Sequence, residues 1–145
     1  MSLTSASSFD TCLKPAPRVL VLDDDALFLR ILGHVFGQLG CAVELVEMGD
    51  QALEQVTNQP WDLVVLDQHV PSVSGADPVP RVQAAAETRG VPVWACTSLC
   101  NTMEWEALRA QGYNHILAKP VSRDAVAGGL RSLAISRAIR NSTTI

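Results

Sequence analysis

The stretch Trp61-Asp62-Leu63-Val64-Val65-Leu66-Asp67 decides how this chain folds. Leu63 to Leu66 leave no polar face, so a strand built from them has to be covered on both sides. Such strands belong to parallel sheets layered between helices. An acid closes the run at Asp67, and a turn bounded by Pro71 and Gly75 follows. In layered sheets of this kind, ligands bind beyond the carboxyl ends of the strands, which is where Asp67 falls.

The same unit recurs outward in both directions. Upstream, Arg18-Val-Leu-Val-Leu-Asp23 is a short apolar run ending in acids. A helical pattern follows it (Phe28, Ile31, Leu32, Val35, Phe36, Leu39), and Gly40 stops that helix. Ala42–Val46 reads as a second strand, with Asp50 as the cap of a short helix bearing Leu53 and Val56. Downstream, Asp77-Pro78 supplies a capping residue and a proline at the first helical position, and Pro80 still lies in that first turn. Val91–Cys96 reads as strand four, and Asn101 with Glu104 as a capping box opening helix four. His115–Ala118 is strand five, and Ser122 caps a last helix running towards Arg140, with Gly128-Gly129 weakening its middle. Five strands alternating with five helices predict an open α/β sheet, parallel and doubly wound.

The length of 145 residues suits one domain. Residues 1–17, rich in Ser, Thr and Pro, read as a flexible lead-in; residues 18–140 read as the domain and 141–145 as a frayed end. A net charge of −4 argues against a nucleic-acid-binding surface spread over the whole domain. No apolar run approaches the ~20 residues that span a bilayer, and the N-terminus lacks a signal-peptide pattern. The cytoplasm is the expected location. Cys12, Cys41, Cys96 and Cys100 show no CxxC spacing, and a zinc site would have to recruit His69 or His115. Reduced thiols are the better reading.

The strand ends carry the chemistry. Strand one ends in Asp23-Asp24-Asp25, strand three in Asp67, strand four in Thr97-Ser98 and strand five in Lys119-Pro120. Converging at one edge, they assemble carboxylates, a hydroxyl and an ammonium from four distant parts of the chain. Clustered carboxylates repel one another, and a hard divalent cation such as Mg²⁺ relieves that repulsion. A carboxylate can also attack a phosphoryl donor to form an acyl phosphate, whose oxygens the metal, lysine and hydroxyl would bind. Asp25 is read instead as the cap of helix one.

The Asp23-Asp24 pair, Asp67 within LDQHVPSVSG, Thr97 and Lys119-Pro120 together resemble the signature of the response-regulator receiver family, over residues 18–134. The resemblance implies a flavodoxin-like (βα)5 fold with strand order 2-1-3-4-5. It implies Asp67 as phosphoacceptor, and Mg²⁺ held by Asp23, Asp24, Asp67 and the backbone carbonyl of His69. Thr97 is implied to bind the phosphoryl group and Lys119 to pair with one of its oxygens, across a cis Lys119-Pro120 bond. Gly75 would end the loop after the acceptor. The implied partner is a histidine kinase or histidine phosphotransfer protein docking on helix one, where Phe28 and Ile31 are the candidates. Helix four, strand five and helix five form the implied signalling face and a candidate homodimer face. The domain would be a signalling module and not an enzyme. It would be either a free-standing regulator or a piece of a larger protein such as a hybrid sensor kinase.

Two positions depart from the family pattern. Three residues before the lysine, where receivers commonly carry an aromatic switch residue, stands Ile116, so coupling would have to use a branched aliphatic side chain. Tyr113 falls nearby, in the preceding loop. Two residues after Thr97 stands Leu99, whose apolar side chain cannot orient water and implies slow loss of the phosphoryl group. Two rivals remain. Asp23-Asp24-Asp25 also fits the DxD motif of haloacid-dehalogenase-like phosphatases, but only Asp124 follows the lysine as a further acid, and Asp67 would be idle. A receiver-like scaffold that never takes phosphate would not need the full set of acids, hydroxyl and lysine.

Overall fold

The computed structural model describes residues 16–68, 77–98 and 101–143, the segment 135–143 for backbone alone. The elements are β1 (Arg18–Leu22), α1 (Ala26–Gln38), β2 (Ala42–Val46), α2 (Gly49–Asn58), β3 (Leu63–Asp67), α3 (Pro78–Thr88), β4 (Val93–Thr97), α4 (Thr102–Ala110), β5 (His115–Ala118) and α5 (Arg123–Thr143). All strand pairs are parallel, in the order β2-β1-β3-β4-β5. The register places Leu22 beside both Val46 and Leu66, Asp67 beside Cys96, and Thr97 beside Ala118. The strand ends therefore line up along one edge, as the sequence predicts.

Alternation along the strands builds two cores. Val19, Val21, Leu63, Val65, Trp94 and Leu117 pack under α1 and α5, where they meet Leu32, Phe36 and Val126. Leu20, Leu22, Val64, Leu66, Ala95 and Ile116 pack under α2, α3 and α4, against Val56, Val82 and Leu108. In the first core the Trp94 ring lies 6.0 Å from Phe36 and meets His115 edge-on at 4.9 Å. A Cβ at Gly129 would come within 2.6 Å of the Trp94 ring. The glycine that weakens α5 in the sequence is what lets the helix close over this tryptophan.

Capping fixes where the helices begin. The Asp25 carboxylate accepts from the N–H groups of Leu27 (3.0 Å) and Phe28 (3.2 Å), and that of Asp77 from Val79 (3.0 Å). Asn101 and Glu104 form the reciprocal capping box, and the Ser122 hydroxyl accepts from Ala125 N–H. At the edge of the sheet the Arg18 guanidinium lies 4.5 Å from the centre of the Trp61 ring and donates to the Pro60 carbonyl, tying the start of β1 to the approach to β3.

Several elements depart from the sequence reading. Asp50 does not cap α2: the helix starts at Gly49, where a Cβ would overlap Pro78 at 2.2 Å, and Met48 takes the cap position. Asp50 still places its charge in the first turn, where the helix dipole favours it. Strand four starts at Val93, not Val91. Gly90 (φ 72°) and Val91 close α3 instead, their N–H groups bonding the carbonyls of Glu87 (3.0 Å) and Ala86 (2.9 Å) in a Schellman arrangement. The last helix continues to Thr143, past the end expected at Arg140. Within α1 it is Leu29, absent from the expected stripe, that is buried, while Ile31 is 46% exposed. No described helix is long and apolar enough to cross a membrane.

Candidate functional site

Four strand ends deliver the site. Asp67 is the last residue of β3 and Asp23 the first after β1; both are buried, at 4% and 1% exposure. Asp24 is exposed beside them, and the three carboxylates can each offer an oxygen within 4.8 Å of the others. Lys119, just past β5, donates to Asp23 Oδ2 at 3.0 Å and to Asp67 Oδ1 at 3.2 Å. Its peptide bond to Pro120 is cis, and its N–H bonds the Thr97 carbonyl at 2.8 Å. Thr97, at the end of β4, is fully buried. Asp25 stands apart as the helix cap, its N–H donating to Asp23 Oδ1 at 2.9 Å.

Two buried carboxylates share one ammonium, so the cluster is net negative. Burial raises the Asp23 pKa above 3.8 against the help of the Asp25 N–H and Lys119, and the like charge of Asp67 adds to the rise. Burial works against the Lys119 ammonium, but its hydrogen bond to Asp23 and the charges of Asp67 and Asp23 outweigh it and raise its pKa. The Cys96 thiol, next to Asp67 in register, is pushed up to about 12, chiefly by burial. Such an uncompensated negative site, with hard oxygen donors and one carboxylate open to solvent, fits Mg²⁺, which keeps waters and takes few protein ligands.

Of the residues singled out in the sequence, Asp23, Asp24, Asp67 and Lys119 meet around one point, with Thr97 on the adjoining strand end. His69, Gly75 and Leu99 lie outside the described residues. The two docking candidates on α1 separate: Ile31 is exposed, whereas the half-buried Phe28 sets its ring 4.4 Å from Lys119 Nζ. A second contact was not anticipated. Gln68, directly after the acceptor position, donates to the Tyr113 hydroxyl at 3.1 Å and to the Leu66 carbonyl at 3.2 Å. Tyr113 lies in the loop before β5, as expected, but is only 5% exposed and packs with Ile116. Neither the Phe28–Lys119 contact nor the Gln68–Tyr113 bond has a local signal, because each joins residues far apart in the chain.

Known proteins resemble this chain in sequence and fold. The family model described as response regulator receiver domain matches residues 19–130. The signal transduction histidine-protein kinase BarA of Shigella flexneri is 29% identical over 111 residues, covering 77% of this chain and 12% of that protein. The sensor histidine kinase GacS of Pseudomonas protegens is 31% identical over 121 residues, 81% of this chain and 13% of that protein. The chain thus spans about an eighth of the length of these curated relatives. Among solved structures, the chemotaxis response regulator CheY4 of Vibrio cholerae superposes with a TM-score of 0.70 at 21% identity, covering 81% of this chain and 98% of that one.

Proposed function

The chain belongs to the response regulator receiver family, and from that premise we propose that it accepts a phosphoryl group on Asp67, with Mg²⁺, and signals by changing shape. The convergence of Asp23, Asp24, Asp67 and Lys119 at one sheet edge carries this reading. Asp23, Asp24 and Asp67, with the backbone carbonyl of His69, would hold Mg²⁺, which supplies positive charge to the phosphoryl oxygens. An Asp67 carboxylate oxygen forms the new bond to phosphorus as the bond to the donor breaks. When the donor is a phosphohistidine, the electron pair leaves with its imidazole nitrogen. Lys119, already within reach of Asp67, pairs with a phosphoryl oxygen, and the Thr97 hydroxyl takes another.

The donor would be a histidine kinase or histidine phosphotransfer protein docking on α1, with Ile31 at the contact. The named relatives are histidine kinases, which suits a receiver that works in a phosphorelay. The phosphoryl group, carrying about −2 where the carboxylate carried −1 and offering three acceptor oxygens, would shift the face formed by α4, β5 and α5, which is also the candidate homodimer face. We place this chemistry in the cytoplasm and read the domain as a signalling module, catalysing only its own modification.

Intact-protein mass spectrometry after incubation with acetyl phosphate and Mg²⁺ tests the reading. Wild type should gain one phosphoryl group and Asp67→Asn none. No gain in wild type, with Mg²⁺ binding established, would leave a scaffold that never takes phosphate.

A further inference from the structure

The position of Phe28 points to a task beyond docking: we infer that its ring is a positioning residue that holds the Lys119 ammonium over the acceptor during phosphoryl capture. The inference rests on the function proposed above and deepens its account of Lys119. Phe28 is in the first turn of α1, and that turn is tied to the site by a chain of hydrogen bonds. Asp23 Oδ1 accepts from the Asp25 N–H at 2.9 Å, and the Asp25 carboxylate accepts from the Phe28 N–H at 3.2 Å. The other oxygen of Asp23 takes Lys119 Nζ at 3.0 Å. Asp23 is therefore bonded both to the start of the helix that carries the ring and to the ammonium that lies 4.4 Å from the ring's centre.

A docking residue should show its ring to solvent. Phe28 is half-buried against Lys119, whereas its neighbours Leu27 and Ile31 are 64% and 46% exposed. The exposed pair suits a partner; the ring suits the lysine. Lysine ends a flexible four-carbon stem and carries a compact charge with no preferred plane, so it needs walls to hold it. Asp23 and Asp67 supply two, and the negative face of the ring supplies the third. This third wall is of a different kind. A carboxylate contact breaks when the ammonium turns away, but the face of a ring attracts the cation over a broad range of angles. The ammonium can therefore pivot from Asp67 Oδ1 to an oxygen of the arriving phosphoryl group without leaving the ring.

The test compares labelling by acetyl phosphate, which needs no docking partner, in wild type, Phe28→Leu and Phe28→Tyr. In the reaction the phosphoryl group passes to Asp67 and acetate leaves. Leucine keeps the apolar packing without a ring face, so Phe28→Leu should be labelled about three- to tenfold more slowly at an unchanged melting temperature. Phe28→Tyr, which keeps the ring, should restore the rate. Equal rates in wild type and Phe28→Leu would overturn the inference while leaving the proposed function intact. Absence of labelling in wild type would instead overturn the function on which it rests. Should Phe28→Leu fold poorly, NMR of the wild type decides: the Lys119 Cε protons should be shifted upfield by the ring current, and unshifted protons would overturn the inference.

Discussion

On the α1/α5 side of the sheet, strand alternation carries Asp23, Asp67 and Lys119 to one place; on the opposite side lie Thr97 and Gln68, and Gln68 reaches Tyr113. The first group is charged, buried and net negative. The second is neutral, and its Gln68 and Tyr113 are joined by a hydrogen bond of 3.1 Å. Charge interactions act over several ångströms and respond to any arriving ion, whereas a neutral hydrogen bond is lost with a small displacement. On the proposed reading, one face is built to capture a charged group and the other to register the movement that follows. Asp67, the last residue of β3, and Gln68, the next in the chain, belong to the two sides.

If that division is right, damage to the charged side should dominate the chemistry. Lys119→Met is expected to lower the rate of labelling by acetyl phosphate roughly 100-fold, the size of effect seen when one donor to a reacting oxyanion is removed. Near-normal labelling would remove the lysine from the reaction. Asp23→Asn probes the same side through stability. The folded-state pKa of Asp23 is raised, so its contribution is most favourable below about 3.8 and is lost as pH rises through the folded value. At neutral pH the full penalty of a buried, poorly compensated carboxylate is in force. The metal-free variant should therefore melt several degrees higher than wild type at pH 7, with the difference closing near pH 3. Added Mg²⁺ should raise the melting temperature of wild type and leave the variant almost unmoved. A variant that melts lower at pH 7 would show that the Lys119 pair outweighs the burial of Asp23. The smallest effect belongs to the neutral side: Tyr113→Phe removes one hydrogen bond and should cost about 1 kcal/mol in urea unfolding, with acetyl phosphate labelling unchanged. Slowed labelling in this variant would break the division between the faces.

Much of this was legible in the residues themselves. Apolar runs of four or five residues announce buried parallel strands, and the acids, hydroxyl and lysine that end them can only meet at the carboxyl edge. Asp25, Asp77-Pro78 and the Asn101/Glu104 box act within one turn of helix, so their spacing alone reveals them. Asp50 misled because the start of α2 is set by contact with Pro78, twenty-nine positions downstream of Gly49. The apolar stripe of α1 located its buried side, yet periodicity could not tell that Leu29 goes inward, that Ile31 stays out and that Phe28 reaches a lysine just past β5. The bond from Gln68 to Tyr113 spans 45 positions and depends on a loop meeting a strand end, which no local pattern records.

Cys96 carries a last consequence. It lies on β4 beside the acceptor strand, 1% exposed, with its thiol pushed up to about 12, so at neutral pH it stays in the unreactive thiol form. Alkylating reagents meet a sulfur that is both hidden and chemically silent for as long as the sheet stays closed. Any adduct at this position therefore dates an opening of the strands that carry the acceptor, and makes Cys96 a built-in clock for how often the middle of the molecule comes apart.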